Sequence, residues 1–342
     1  MDISSLKLGI IGYGDAAESF VTAAHFLNDW KPVAAGGRNM EKAAVFADKY
    51  EIESRTVDEI AGSDDIDVVA IATPPGVHLA DTLTCCAGGK HMLVEKPFAL
   101  SLEDCDRMIA SAREAGTRLM VGQTQRYFPG TMHLRALIDS GEFGRVLMIE
   151  DTQVLDYFGP KRTGWQIEPA LSGGGVVMNP VIHYTDRFRY LASSEVKSVR
   201  AVLGAASTGF EIEGHVQVFY TFEDREVSAA LTMSGYGQTG LDCTRVFLEK
   251  GLLVYEFNNN RIQVFSEGGR LRVERPDPMP YGPGQLITGY LQQFVEFGDT
   301  LRSDAPNRSD GANGRANVAA CLAIIESAAE GKECRVNFNL VE

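Results

Sequence analysis

The chain has little of what marks several protein classes. Its six cysteines (Cys85, Cys86, Cys105, Cys243, Cys321 and Cys334) are scattered through 342 residues, with no CxxC and no paired spacing with histidine. Neither a disulfide framework nor a metal site is indicated. Basic residues are in deficit: 32 Lys and Arg stand against 46 Asp and Glu, a formal charge of −14. That argues against a nucleic-acid partner, because phosphate contacts need a basic surface. It also means that an anionic ligand must be held by local features against the overall field. No apolar run reaches the roughly 18 residues that span a bilayer, so no membrane partner is expected. The opening MDISSLKLGIIGYG has no basic n-region, and its apolar run enters a glycine turn. It therefore reads as a strand and not as a signal peptide, and the expectation is a soluble, cytoplasmic protein.

The composition that remains is ordinary for a globular chain, 44% hydrophobic and 23% charged. At roughly 100–200 residues per domain, the length suggests two domains. Residues 1–126 alternate strand and helix patterns, which predicts a doubly wound parallel sheet. Leu6–Ile11 is a strand that runs into Gly12-Tyr13-Gly14-Asp15-Ala16-Ala17 and then a helical stretch. This is a GxGxxA form of the dinucleotide fingerprint. Gly12 permits the tight turn, Gly14 lets a pyrophosphate approach the backbone, and Ala17 allows close helix–strand packing. The second strand, Pro32–Gly36, ends in Gly37-Arg38-Asn39. The acid that would bind the ribose of NAD is missing, and Arg38 can face a 2′-phosphate, which favours NADP with NAD as the alternative.

Asp67–Ala72 is a buried strand ended by Thr73-Pro74-Pro75-Gly76, with His78 opening the next helix. His91–Phe98, HMLVEKPF, is a further strand closed by Glu95, Lys96 and Pro97. Ligands bind beyond the carboxyl ends of such strands, so the Glu95-Lys96 pair lies where a ligand would sit. Ser101 reads as a helix N-cap, and Arg118–Val121 begins another strand.

The ordered set GIIGYGDAA, IATPPGVH, VEKPF and VGQTQRYFP resembles the glucose–fructose oxidoreductase/inositol dehydrogenase (Gfo/Idh/MocA) family. The resemblance implies a cofactor site at Gly12, Tyr13, Gly14, Asp15, Ala16, Gly37, Arg38, Thr73, Pro74, Pro75, His78, Glu95 and Lys96. It also implies that Lys96 takes part in catalysis; the Lys–Pro bond is often cis in that family.

After Pro129 the rhythm changes. One more helix, Met132–Ser140, is followed by segments of period two: Val146–Val154, Val196–Leu203, Val216–Phe222, Glu226–Met233, Val246–Tyr255, Ile262–Phe265 and Leu271–Val273. They predict a mainly antiparallel sheet in an α/β domain covering residues 127–342. One sheet face is left open, as an oligomer interface for a homodimer or homotetramer. Leu155–Ser172 and Gly235–Asp242 read as loops. Gln285–Leu301 and Ala312–Ala329 are helices that could pack back on the first domain.

Within this half lies Gly173-Gly174-Gly175, then Asn179-Pro180, His183 and Asp186. Asn179 with Pro180 reads as a helix start, with His183 one turn in on the same face. The positive helix end disfavours imidazolium, so His183 is placed to accept a proton. The family pattern GGGxLxDxGxHxxD is visible here, and its proton acceptor corresponds to His183. Its first Asp corresponds to Asn179, which cannot act as a base but can hydrogen-bond a substrate hydroxyl. Val181 stands where Gly is usual. Arg126, Tyr157, Arg162 and Trp165 are further candidates for contacting a hydroxyl-rich or aromatic substrate.

The resemblance thus implies an NAD(P)-dependent oxidoreductase that moves a hydride between nicotinamide and a carbinol or carbonyl carbon of a sugar, cyclitol or related polyol. Two other readings stay open. One is an NADP-linked dihydrodiol dehydrogenase or dicarbonyl-sugar reductase. The other is a cofactor-binding regulator without catalysis.

Overall fold

The computed structural model describes residues 5–159, 164–205, 212–224, 226–276 and 285–338. The first stretch alternates as expected: β1 (Leu6–Ile11), α1 (Asp15–His25), β2 (Trp30–Gly36), α2 (Met40–Lys49), β3 (Glu53–Ser54), α3 (Val57–Gly62), β4 (Val68–Ile71), α4 (His78–Ala87), β5 (His91–Glu95), α5 (Leu102–Glu114) and β6 (Leu119–Gly122). The strands pair in parallel in the order β3-β2-β1-β4-β5-β6. β1, β4, β5 and β6 are apolar on both faces because helices cover both. The order reverses between β1 and β4, and the loops beyond the carboxyl ends of these strands carry the ligand-binding turns of such sheets. Ser101 caps α5, accepting from Asp104 N at 3.0 Å, as its sequence position indicated.

The second stretch holds α6 (Pro129–Asp139), β7 (Val146–Asp156), α7 (Pro169–Ser172), α8 (Ile182–Ala192), β8 (Val196–Gly204), β9 (His215–Phe222), β10 (Ser228–Ser234), β11 (Tyr236–Leu248), β12 (Gly251–Glu256), β13 (Arg261–Ser266) and β14 (Arg270–Glu274). Then come α9 (Gln285–Ser303), α10 (Gly311–Glu330) and β15 (Cys334–Arg335). Among the described residues the sheet runs β14-β13-β12-β11-β7-β10-β9-β8-β15. Its pairings are antiparallel except between β10 and β7, so it is mainly antiparallel.

Two expectations need correction here. The run Val246–Tyr255 is not one strand: Glu249 and Lys250 turn the chain, and β11 and β12 pair as a hairpin. Gly235–Asp242 is not a loop, because β11 begins at Tyr236.

The chain divides into two compact units. The first takes residues up to Tyr127 together with Pro280–Arg315, which agrees with a helix over Gln285–Leu301 that packs back on the first domain and departs from a second domain continuous over 127–342. Residues Phe128–Met279 and Ala316–Asn339 form the second. The return of α9 to the first unit has a plain cause. Tyr290, Leu291, Phe294 and Phe297 fall on one helical face and join the core formed by Phe20, Trp30, Leu8 and Ile10. The Phe294 ring lies 4.7 Å from Trp30 and 5.9 Å from Phe20, both edge to face. Such contacts add to the burial of each ring. Among the described residues no helix is long and apolar enough to cross a membrane.

Candidate functional site

The glycine loop after β1 fits a dinucleotide. Gly12 has φ +129°, and a Cβ there would come 2.6 Å from the Ala72 carbonyl oxygen, so no other residue is accommodated. Gly14 is the N-cap of α1 and offers no side chain to cap it, and a Cβ there would meet nothing within 4 Å. The first turn of α1 is therefore open to an anion from outside. Asp15 and Ala16 lie in that first turn; the Asp15 carboxylate favours the helix end but opposes an anionic ligand.

At the end of β2, the Tyr13 ring packs against Gly37. A Cβ at position 37 would lie 2.8 Å from Tyr13 Cε1. A side chain at 37 would therefore require the half-buried Tyr13 ring to shift. Arg38 is exposed, and Asn39 caps α2 by accepting from Lys42 N at 2.9 Å. Burial raises the Asp81 pKa on α4, opposed first by the Thr73 hydroxyl and then by the His78 and Arg38 charges.

The loop after β4 and the turn after β5 are joined. Pro74 leads into a short turn, Pro75–Val77, with Pro75 buried. Thr73 Oγ1 donates to Asp81 Oδ2 at 2.6 Å. His78 was assigned to the cofactor by resemblance, but its side chain is 0% exposed and occupied elsewhere. Its Nε2 lies 2.8 Å from the Thr73 carbonyl oxygen, and its Nδ1 lies 3.0 and 3.2 Å from those of Pro97 and Phe98. Burial pushes the ring's pKa below its ordinary value, while these carbonyls push it up.

The Lys96–Pro97 bond is cis. Glu95 is buried beside it: Oε2 accepts from Lys96 N at 3.0 Å, and Oε1 accepts from the Tyr290 hydroxyl at 3.2 Å. Burial raises the Glu95 pKa, opposed first by the Lys96 charge. Glu95 thus braces the Lys96 backbone, while the Lys96 side chain is only half-buried. Tyr290 was not anticipated. It stands 195 residues from Glu95 in the chain, and no local pattern links them.

Arg126 is buried in the turn Thr124–Tyr127, and its Nη1 donates to the Arg308 carbonyl at 2.7 Å. That bond ties the turn to the segment after α9, within the first unit.

The second unit holds the remaining candidates. Gly174 has φ +144°, and a Cβ on Gly175 would overlap the Glu213 carbonyl oxygen. Glu213 clamps this segment further: its carbonyl accepts from Val176 N at 3.1 Å and its Oε1 accepts from Val177 N at 2.9 Å. Tyr157 is 2% exposed and donates to the Gly175 carbonyl at 3.2 Å. The three glycines are thus required by close approach and backbone conformation.

Asn179 is extended, with φ −160° and ψ 109°, and its bond to Pro180 is cis. Helical backbone resumes after this kink and runs through Val181 into α8, in line with a helix start at Asn179-Pro180. His183 is the second residue of α8 and is half-buried, with Nδ1 shut off from solvent. Asp186 is 1% exposed and accepts from Asn317 Nδ2 at 2.8 Å, which fastens α8 to α10. Trp165 is exposed in the short turn Gly164–Ile167. Arg162 lies outside the described residues.

Comparison with known proteins bears on both halves. Residues 6–123 match the oxidoreductase family with an NAD-binding Rossmann fold (GFO_IDH_MocA). Residues 131–254 match the GFO/IDH/MocA C-terminal domain. The 1-carboxy-3-chloro-3,4-dihydroxycyclohexa-1,5-diene dehydrogenase of Comamonas testosteroni is 32% identical over 241 residues, 69% of this chain but only 60% of that protein. The 1,5-anhydro-D-fructose reductase of Ensifer adhaerens is 25% identical over 98% of this chain and 99% of its own. Among solved structures, levoglucosan dehydrogenase in complex with NADH and levoglucosan superposes with a TM-score of 0.89 at 22% identity, covering 98% of this chain and 100% of that one. That last likeness is one of fold.

Proposed function

Because the chain belongs to the Gfo/Idh/MocA family of NAD(P)-dependent oxidoreductases, we propose that it transfers a hydride between NADP and a carbinol or carbonyl carbon of a sugar, cyclitol or related polyol. The observation that carries the reading is the brace around Lys96. A lysine at the carboxyl end of a central strand is fixed through its backbone by a buried Glu95, in the same unit as a glycine loop that fits a dinucleotide.

When bound, the nicotinamide supplies the hydride chemistry. Lys96 holds and polarises the reacting oxygen. His183 takes the hydroxyl proton in oxidation and returns it in reduction. Asn179 offers a substrate hydroxyl both a donor and an acceptor, without the charge of an Asp. Arg162 and Trp165 are assigned to substrate contact. The preference for NADP over NAD rests on Arg38 and on the absence of a ribose-binding acid at Gly37, beside which the Tyr13 ring packs. A second substrate reading, a cyclic diol, draws on the Comamonas relative, whose name describes a dihydroxycyclohexadiene substrate. A homodimer or homotetramer is proposed to form through the open face of the sheet.

The test is kinetic. Lys96→Ala and His183→Ala are each expected to lower kcat by about 10²–10⁴-fold, the usual contribution of a positioned acid or base. Nucleotide binding, followed by calorimetry, should change little. If both variants keep the wild-type rate on a substrate found by screening polyols and carbonyl sugars, the assigned chemistry is wrong.

A further inference from the structure

We propose that His78 is a positioning residue for Lys96, its buried ring tying the loop after β4 to the turn after β5 so that the two move as one body. The proposal rests on the reading of Lys96 given above and extends it. β4 and β5 are neighbours in register, Ile71 beside Val94, so their following loops leave the sheet side by side. Nothing in the strand pairing holds those loops together once the ladder ends. The His78 ring does so. Nε2 faces the Thr73 carbonyl at 2.8 Å, in the first loop. Nδ1 faces the Pro97 and Phe98 carbonyls at 3.0 and 3.2 Å, directly after Lys96.

The Lys96 backbone is then held on both sides. Its own N–H donates to Glu95, and the carbonyl of the residue that follows it lies against His78. The first loop is anchored in turn, since Thr73 Oγ1 donates to Asp81 one helical turn beyond His78 on α4. The ring is fully buried, and carbonyls only accept, so the neutral ring donates its one N–H to one segment and packs in contact with the other, out of reach of a ligand. Its influence on the chemistry therefore passes through the two backbone segments it joins. A displacement of about 1 Å at a catalytic group can cost on the order of 10²-fold in rate, so a small loosening of this tie is large enough to measure.

A double-mutant cycle tests this against a merely structural role. The variants are His78→Ala, Lys96→Ala and the pair, with His78→Gln replacing the first if the alanine variant does not fold. His78→Ala alone should lower kcat by about 10- to 100-fold, the size of effect expected from a misplaced catalytic group. On the Lys96→Ala background the same change should alter the residual rate by less than about twofold, because nothing remains to be positioned. His78→Gln, which can restore one of the two contacts, should fall between wild type and alanine. Equal losses on both backgrounds, or no loss in His78→Ala, would overturn the role of His78 while leaving Lys96 intact. A Lys96→Ala enzyme at full rate would instead remove the reading of Lys96 itself.

Discussion

The proposed preference for NADP rests on Arg38, with the Tyr13 ring beside Gly37 as a second consideration. An enzyme that prefers NAD places an acid at the end of the second strand. Here the Tyr13 ring occupies the space beside Gly37 that such a side chain would need. The chain is strongly acidic overall, so a 2′-phosphate gains nothing from the net charge and needs a local cation such as the exposed Arg38. Hydrogen bonds to charged groups contribute about 1.5–3 kcal/mol, so Arg38→Ala should weaken NADPH roughly 10- to 100-fold. NADH affinity should stay nearly constant. Parallel titrations of wild type and variant with both nucleotides decide it: an equal loss for both would mean that Arg38 stacks on the adenine, and no loss that it is idle.

The helix α8 presents a different problem, because the element that carries His183 is anchored by buried charge. Arg187 is fully buried, and its Nη1 meets Asp151 at 3.1 Å and Asp242 at 3.5 Å. Thr244 donates to Asp151 at 2.5 Å, and Tyr184 donates to Asp242 at 2.7 Å. One cation faces two acidic side chains, both buried. Removing one member of such a group costs about 3–5 kcal/mol, because a charge is left unpaired. Burial, helped by the Asp242 charge and opposed by Arg187, pushes Asp151 up to about 8. The folded protein therefore keeps a proton on Asp151 that the unfolded chain gives up near pH 4. Where the folded state binds more protons, stability falls as pH rises, so it should decline from about pH 4 to about 8 and then level off. Asp151→Asn mimics the protonated carboxyl and should remove this slope. Melting temperatures of both proteins from pH 5.5 to 9 should diverge as pH rises, the wild type losing ground; parallel curves would show that Asp151 does not titrate there. None of this is legible in the sequence. Asp151 and Asp242 look like ordinary polar positions of alternating strands, and Arg187 looks like the solvent side of an amphipathic helix. The glycine fingerprint, the Lys96-Pro97 turn and five of the parallel strands are legible because each is written in a few adjacent residues; the two-residue strand β3 carries no such pattern. The hairpin at Glu249 and Lys250 was missed because the strands on either side form one apolar run with a single charged pair inside it.

In the protein as a whole, two features of the chain's layout matter most. The first is the open face of the mainly antiparallel sheet, which has nine strands among the described residues. The cross-strand row Arg200, Phe219, Ala230, Glu150, Arg245, Val254, Gln263 and Val273 runs over it. Phe219 is 67% exposed and Val273 48%. Glu150 and Arg245 pair at 3.4 Å in the middle of the row, a charge pattern that a second copy related by a twofold axis can meet with its own. Light scattering after gel filtration should give a dimer or larger species for wild type and a monomer for Phe219→Glu. A monomeric wild type would remove the interface. The second feature is that the nucleotide-binding unit is discontinuous. Its core includes Phe20 and Trp30 from the start of the chain and Tyr290, Phe294 and Phe297 from near its end. During synthesis at roughly 5–20 residues per second, the first of these leave the ribosome tens of seconds before the last. For that interval the parallel sheet has its strands but lacks one of the helices that cover it. The nascent chain therefore carries a bare aromatic surface until Tyr290, Phe294 and Phe297 have been made, and a fragment ending at Tyr127 would carry it permanently.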